Sequence, residues 1–253
     1  MALIFISIGL NDEKDMSLNE LEAAKSCDRL FLELYTSKLE TDKSKLEKLI
    51  GKDVKLVKRK DLEEEYKKIL SEAKSRKIGI LIGGDCLVST AHAALMTEAR
   101  KEKIEVKIIH GSSILSAVAE SGLHIPKFGQ MVTIPFHDRT KGTMPVSVYN
   151  AILGNRIRGL HTLCLLDMIA EENRFMSVRE AVKILFDLEK EVGKKIIDKK
   201  TEGVVFSRLG SEDEKIVYGK LEELAKIDFA KPPYCLAIIG KLHFSEKESL
   251  ENY

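Results

Sequence analysis

Short apolar runs and amphipathic segments alternate along the first half of the chain. Residues 3–10 and 77–82 are apolar runs of the length typical of buried strands, and the segments between such runs repeat apolar residues every three to four positions. This order predicts strands that alternate with helices. Such an alternation is typical of a parallel sheet that carries helices on its faces.

Polar residues predict where several helices of this half begin. Ser17 followed by Glu20 is the pattern of a capping box. Asp61 is expected to cap one long continuous helix, and Asp85 is expected to cap a helix over residues 88–102.

The second half of the chain predicts a mixed sheet. Two helices are expected, over residues 146–157 and 177–193. The pattern of apolar and polar residues changes near residue 112. We therefore predict one α/β domain over residues 1–112 and a second over residues 113–253. The apolar runs of the second domain are predicted as strands at 130–136, 161–168, 202–210, 214–221 and 234–242.

Composition narrows the class of protein. The chain has 253 residues, of which 44% are hydrophobic and 32% charged, which is enough for two cores and a well-solvated surface. A net charge of +1 with interleaved signs gives no electrostatic pattern for nucleic acid. The apolar N-terminal run has no basic flank and is too short to span a bilayer, so we predict neither a signal peptide nor a membrane anchor.

The cysteines indicate the compartment. They lie far apart in the sequence, which argues against a zinc site and against a disulfide framework, and we therefore expect reduced thiols in the cytoplasm. The four are Cys27, Cys86, Cys164 and Cys235.

Several predicted strands end in turns that could present backbone to a ligand. The sequence “IGGDCLV” at 82–88 is the clearest, since α/β sheets bind ligands beyond the carboxyl ends of their strands. Neither a dinucleotide-binding glycine motif nor a phosphate-binding loop is present, and no arrangement typical of a catalytic triad or a metal site is visible. A small-molecule site is therefore predicted, with its catalytic residues unknown and no metal.

Six segments spread over nearly the whole chain resemble one family, the diphthine synthases among the tetrapyrrole-methylase-like methyltransferases. The combination of “SGLHIPKFG”, “RGLHT” and “GKLH” is specific to this subfamily. The segments are “IFISIGLNDEKDMS” at 4–17, “ELYTS” at 33–37, “GGDCLVSTAH” at 83–92, “SSILSAVAESGLHIPKFG” at 112–129, “RGLHTLCLLD” at 158–167 and “PPYCLAIIGKLHFSE” at 232–246.

The resemblance implies a fold, a cofactor and a reaction. It implies two α/β domains of the tetrapyrrole methylase type, with S-adenosylmethionine in the cleft between them, and a homodimer. It implies N-methylation of the aminocarboxypropyl-modified histidine of translation elongation factor 2, which leaves S-adenosylhomocysteine. The cofactor contacts that it implies are Leu10, Asp85, Val88, Ser113, Ile114, Leu166, Leu209 and Tyr234.

Two other functions remain open at this point. A corrin or porphyrin-precursor methyltransferase would share the fold and act on a ring carbon. A non-enzymatic module would bind S-adenosylmethionine without turnover.

Other polar residues are expected to have structural roles. Methyl transfer to an amine with a pKa near 8 needs no strong base, so we expect none of four histidines next to apolar segments to be catalytic. These are His92, His124, His161 and His243. Three arginines could hold a substrate carboxylate, but we expect surface positions for Arg139, Arg174 and Arg208.

The surface covered in the dimer can also be predicted. The apolar stretch 131–136 and the flanking stretch 124–129 are expected to be exposed in one subunit and covered by its partner.

Overall fold

The computed structural model describes residues 1–140 and 142–253. The chain divides into two compact units, residues 1–114 and 115–253, and each is described by itself. The boundary predicted from the sequence lies between residues 112 and 113, two residues earlier. Within the described residues, no helix has both the length and the apolar character that a membrane span requires.

The first unit is built on one parallel sheet. Its strands are β1 (Ala2–Ser7), β2 (Arg29–Glu33), β3 (Val54–Val57), β4 (Lys77–Ile82) and β5 (Glu105–Ile109). Its helices are α1 (Leu18–Ser26), α2 (Lys43–Ile50), α3 (Arg59–Glu63), α4 (Lys67–Ala73) and α5 (His92–Lys101). The strand order is β3-β2-β4-β1-β5 and every pair is parallel, so all five carboxyl ends lie at one edge of the sheet.

The apolar runs explain the centre of this sheet. Every residue of β1 is buried, because the strand lies between β4 and β5 and has covered faces. The predicted capping box is present, since the Ser17 side chain accepts from the Glu20 amide and the Glu20 carboxylate accepts from the Ser17 amide. The alternation of strands and helices is confirmed.

Two helix predictions in this unit are wrong. Asp61 does not begin a continuous helix: α3 has Lys58 as its N-cap and Asp61 in its first turn, and α4 is a separate helix. Asp85 does not cap α5, which begins only at His92. Its carboxylate accepts instead from the amide of Leu87, two residues on, so the chain turns before the helix starts.

The second unit contains a mixed sheet. Its helices are α6 (Ile114–Ala117), which begins at the unit boundary, α7 (Val146–Ile157), α8 (Val178–Val192), α9 (Leu221–Leu224) and α10 (Phe244–Leu250). Its strands are β6 (Val132–Ile134), β7 (Thr162–Leu166), β8 (Met168–Ile169), β9 (Arg174–Phe175), β10 (Glu202–Ser207), β11 (Lys215–Lys220) and β12 (Tyr234–Ile238). The main sheet has the order β11-β10-β12-β7-β6, in which only β6 and β7 are parallel.

The two long helices of this unit agree with the predictions. The span of α7 is the predicted one, and α8 begins at Ser177 with a capping box and ends at Gly193, whose φ of +69° suits a glycine C-cap. The prediction of an exposed stretch at 131–136 is wrong in part. Ile134 and Phe136 are buried in the core of this unit, with 0% and 3% of their surfaces exposed.

A buried carboxylate fixes the C-terminal helix of this unit. Glu246, in the first turn of α10, accepts hydrogen bonds from the amides of His124 and His243 at 2.9 and 2.7 Å. It also accepts from the ammonium group of Lys127 and lies 3.1 Å from Nε2 of His161. Burial raises the pKa of Glu246, but these donors outweigh it and hold the pKa at about 2.

This lowered pKa predicts an acid-sensitive contribution to stability. A carboxyl with a folded pKa of about 2 and an unfolded value of 4.5 stabilises the fold above pH 4.5, and the contribution is lost as pH falls towards 2. Glu246→Gln should therefore lower the free energy of unfolding at pH 7 by roughly 2–4 kcal/mol, since it leaves buried donors without a charged acceptor.

Urea unfolding at pH 7, 4 and 3 measures this effect. The difference between the parent and Glu246→Gln should shrink as the pH falls. Glu222→Gln is the control, because Glu222 makes an exposed ion pair with Lys199 and its loss should change stability far less. A difference that stays constant with pH would contradict an ionised Glu246.

Candidate functional site

Three strands of the first sheet end around the hydroxyl group of Ser7. Ser7 is the last residue of β1 and is fully buried. Its Oγ donates a 2.8 Å hydrogen bond to the carbonyl of Ile109, at the end of β5, and accepts a 3.0 Å bond from the amide of Cys86, beyond β4. One side chain therefore fixes where the loops after β4 and β5 leave the sheet.

Two glycines join the loops that follow β1 and β4. Gly9 and Gly84 exchange backbone hydrogen bonds of 2.7 and 3.4 Å. Both have positive φ, +104° and +67°, a conformation that favours glycine. A Cβ on Gly84 would meet no atom within 4 Å, so there is open space in front of this backbone. A ligand could approach the main chain there.

Asp85 follows Gly84 and its carboxylate is held in one orientation. Oδ1 accepts from the amide of Leu87 at 2.9 Å, and Oδ2 lies 2.7 Å from Nδ1 of His110 and 3.4 Å from the amide of Gly111. Burial raises the pKa of Asp85, but the hydrogen bonds from Leu87 and His110 outweigh it, and the pKa is lowered. The carboxylate is ionised at neutral pH and has lone-pair sites left for a ligand.

A second carboxyl group lies at the same edge. Glu20 of α1 is buried, and a Cβ on Gly111 would come within 2.4 Å of its Oε1. Among the described residues, no hydrogen-bond donor reaches Oε1. Burial, and to a smaller extent the charges of Asp15 and Asp85, raise the pKa of Glu20. Carboxyl groups at a sheet edge favour a ligand that carries positive charge.

The structure places the eight predicted contact residues at two sheet edges, one in each unit. In the first unit, Leu10 follows β1, Asp85 and Val88 follow β4, and Ser113 and Ile114 follow β5. Because these strands are adjacent and parallel, the five residues belong to one group of neighbouring loops. The amide of Val88 donates to the carbonyl of Asp85 at 3.1 Å.

In the second unit, the other three predicted residues share the other edge. Leu166 ends β7, Leu209 follows β10, and Tyr234 begins β12. β12 is antiparallel to both β7 and β10, so its beginning lies at their ends. Burial raises the pKa of Tyr234, which keeps the phenol neutral at physiological pH.

The sequence did not single out His110, which the structure brings to Asp85. The two residues are 25 positions apart, and they meet because β4 and β5 both flank β1. The only signal was a histidine directly after an apolar strand, in “KIIHG”. The His110 side chain is 66% exposed, whereas Asp85 is 9% exposed.

The three candidate arginines are all engaged with carboxylates. Arg139 lies 2.7 Å from Asp167. Arg174 binds Asp138 through two hydrogen bonds, of 2.7 and 3.0 Å, and lies over the ring of Phe136. Nε of Arg208 donates to Asp213 at 2.6 Å, and its side chain is only 8% exposed. The Arg208 side chain is therefore largely covered, whereas the sequence predicted a surface position. The sequence assigns no substrate contact in the loop 137–145, and this loop includes residue 141, which lies outside the described residues.

His92 has the packing role that the sequence predicts. It is 2% exposed and its ring lies 6.2 Å from Phe5 and 6.3 Å from Tyr35, centroid to centroid. Its Nε2 is 3.7 Å from Oε1 of Glu33, too long for a hydrogen bond. Burial lowers the pKa of His92 to about 4, so the ring is neutral at pH 7. His161 is also buried, and Nε2 of His124 and Nδ1 of His243 both reach Oγ of Ser245.

The chain is similar to known proteins over nearly its whole length. Residues 2–225 match the family of tetrapyrrole (corrin/porphyrin) methylases. It is 43% identical to a diphthine synthase of Methanocaldococcus jannaschii, over 98% of this chain and 97% of that protein. It is 38% identical to one of Methanococcus vannielii, over 98% and 97%. The chain belongs to the diphthine synthases, within the tetrapyrrole methylase family.

Solved structures agree with this membership in the diphthine synthases. The crystal structure of a putative diphthine synthase from Entamoeba histolytica has a TM-score of 0.89 and 37% identity, covering 100% of this chain and 98% of that one. A second diphthine synthase crystal structure has a TM-score of 0.88 and 35% identity, covering 100% and 96%. The predicted tetrapyrrole methylase fold is confirmed.

The edge of the first sheet fits the cofactor of such a methyltransferase. S-adenosylmethionine carries a sulfonium and an ammonium group, and the edge offers the ionised carboxylate of Asp85 beside Glu20. The open space at Gly84 admits a ligand close to backbone groups. Among the described residues, no group of three or more histidine, cysteine, aspartate or glutamate side chains could hold a metal ion.

Proposed function

We propose that this protein transfers methyl groups from S-adenosylmethionine to the amino group of the aminocarboxypropyl-modified histidine of translation elongation factor 2, as a diphthine synthase. The observation that carries the proposal is 43% identity to a diphthine synthase over 98% of the chain. The carboxylate-lined edge with open backbone supports a cationic cofactor of this kind.

The cofactor contacts are proposed residue by residue. Asp85 accepts a hydrogen bond from a polar group of the cofactor, and the loops that carry Leu10, Val88, Ser113 and Ile114 line the same edge. We assign to the same cofactor the three residues of the second unit, Leu166, Leu209 and Tyr234. Their shared sheet edge supports treating them as one set.

Methyl transfer requires mainly that the protein position the methyl donor and the acceptor amine. The cofactor, when bound, would supply an activated methyl group for in-line transfer to the acceptor nitrogen. An ammonium has no lone pair, so the amine must lose a proton before it reacts. The chain's own contribution is to fix the loops through Ser7 and to orient the Asp85 carboxylate.

The assembly and the compartment are part of the proposal. We propose a homodimer in the cytoplasm, where its protein substrate is found. All four cysteines are buried and unpaired, which is compatible with a reducing compartment. We propose that the surface covered by the partner subunit includes β6, an edge strand of its sheet, and Ile125, which is 39% exposed.

The function predicts transfer of labelled methyl groups to one kind of acceptor. The protein, incubated with methyl-labelled S-adenosylmethionine, should label elongation factor 2 that carries the aminocarboxypropyl group and leave unmodified factor unlabelled. Mass spectrometry of the histidine-containing peptide identifies the methylated nitrogen. Labelling of a tetrapyrrole but not of the modified factor would overturn the proposal in favour of a ring-carbon methyltransferase, and binding without any transfer would favour a sensing module.

A substitution at Asp85 tests the cofactor site. Asp85→Ala should weaken S-adenosylmethionine binding by roughly 1.5–3 kcal/mol, the range for a hydrogen bond to a charged group, as measured by calorimetry. Circular dichroism should remain native. Asp42→Ala is the matched control, because Asp42 caps α2 by accepting from the amide of Lys45. If both variants bind the cofactor like the parent, Asp85 only shapes the turn.

The dimer is tested by light scattering. The parent should have the mass of two chains at micromolar concentration, and Ile125→Glu should shift the population towards the monomer, because burying a carboxylate in an interface is costly. Ile157→Glu, at a residue that is 76% exposed outside the proposed surface, should leave the mass unchanged. A monomeric parent would contradict the dimer.

A further inference from the structure

The Asp85–His110 pair fixes which nitrogen of the imidazole carries a hydrogen. An ionised carboxylate can only accept, so the nitrogen 2.7 Å from Oδ2, Nδ1, must be the donor. In the neutral ring this leaves the lone pair on Nε2. A buried carboxylate that orients an imidazole in this way is the arrangement by which proteins prepare a histidine to accept a proton.

The position of the ring allows Nε2 to meet a substrate. The His110 side chain is 66% exposed, at the sheet edge where the cofactor loops begin. The other histidine of the first unit, His92, is 2% exposed and neutral in an apolar pocket. Within that unit, only His110 combines exposure with a carboxylate partner.

Acidic groups from neighbouring segments surround the pair. Asp85 is in direct contact with it, Glu20 of α1 is next to Gly111, and Asp15 lies close to Gly9, where a Cβ would come within 2.4 Å of the Asp15 Cβ. Burial raises the pKa of Glu20, whereas hydrogen bonds lower the pKa of Asp85, which is ionised. These groups from three neighbouring segments are all acidic, so this edge attracts a positively charged substrate group such as an ammonium.

We propose that His110, held by Asp85, is the group that accepts the proton from the substrate amine before methyl transfer. The proposal rests on the proposed function. One N–H bond of the ammonium breaks, its electron pair stays on the amine nitrogen, and a new N–H bond forms at Nε2. The exposed ring, held by Asp85, then returns the proton to solvent. The amine lone pair then attacks the methyl group, and the sulfonium leaves as a neutral thioether.

The test uses variants that keep the contact with Asp85. In His110→Asn the side-chain amide can still donate to Oδ2, but the proton acceptor at Nε2 is removed. His110→Gln is the second variant, should the first fold poorly. The matched control is His124→Asn, whose exposed ring contacts the Ser245 hydroxyl at 3.2 Å.

Three measurements separate a proton acceptor from a structural residue. Single-turnover rates at saturating cofactor, from about pH 6 to 9, should fall by roughly tenfold in His110→Asn at pH 7 and approach the parental rate at pH 9, because only about a tenth of an amine with a pKa near 8 is neutral at pH 7. The midpoint of its pH profile should move up towards the ionisation of a free amine, near pH 8, and added imidazole should restore part of the rate. Nitrogen NMR of the parent should show the Nδ1–H tautomer, and Asp85→Asn should convert it to a mixture. The affinity of His110→Asn for S-adenosylmethionine should stay within about threefold of the parent.

The outcomes are distinct. If the parent methylates the modified factor and His110→Asn has the same rate and the same pH midpoint, the role of His110 is overturned. The proposed function then remains intact. A loss of cofactor affinity as large as the loss of rate would also overturn it, because His110 would then serve cofactor binding. A parent that transfers no methyl group to the modified factor would refute the proposed function itself.

Discussion

The buried hydroxyl of Ser7 is the contact on which the candidate site depends. Parallel strands end with backbone groups that need partners, and a buried group without one costs roughly 1–3 kcal/mol. Ser7 satisfies two such groups at once, the Ile109 carbonyl and the Cys86 amide. Because these belong to the segments after β5 and β4, the same contact decides where Asp85 and His110 lie relative to each other.

Asp85 can serve the turn and a ligand together because the two tasks use different parts of its carboxylate. One oxygen accepts from Leu87, which shapes the turn, and the other faces His110 and Gly111. An ionised carboxylate has about four lone-pair sites, so these contacts do not exhaust it. The lowered pKa follows from this set of donors and maintains the negative charge that a cationic cofactor requires.

The strands, the long helices and the two-domain pattern could be predicted from the sequence because they follow local periodicity. Ser177 and Gly193 define α8 with signals that lie within one turn of its ends. Asp85 shows the limit of such signals, because an aspartate before a helix can cap it or close a turn, and only the backbone decides. His110 was missed because its partner is 25 residues away, and their meeting depends on β1 lying between β4 and β5.

The subfamily motifs differ from His110, which no motif indicated. They are specific sequence signals, and their histidines have structural roles. “SGLHIPKFG”, “RGLHT” and “GKLH” contribute His124, His161 and His243, and these meet around Glu246 and Ser245 in the second unit. A buried carboxylate tolerates few changes in its donors, since removing one partner leaves a charge uncompensated. The residues that act on a substrate are found more readily where a buried acid orients an exposed base, and in the first unit that description fits Asp85 and His110.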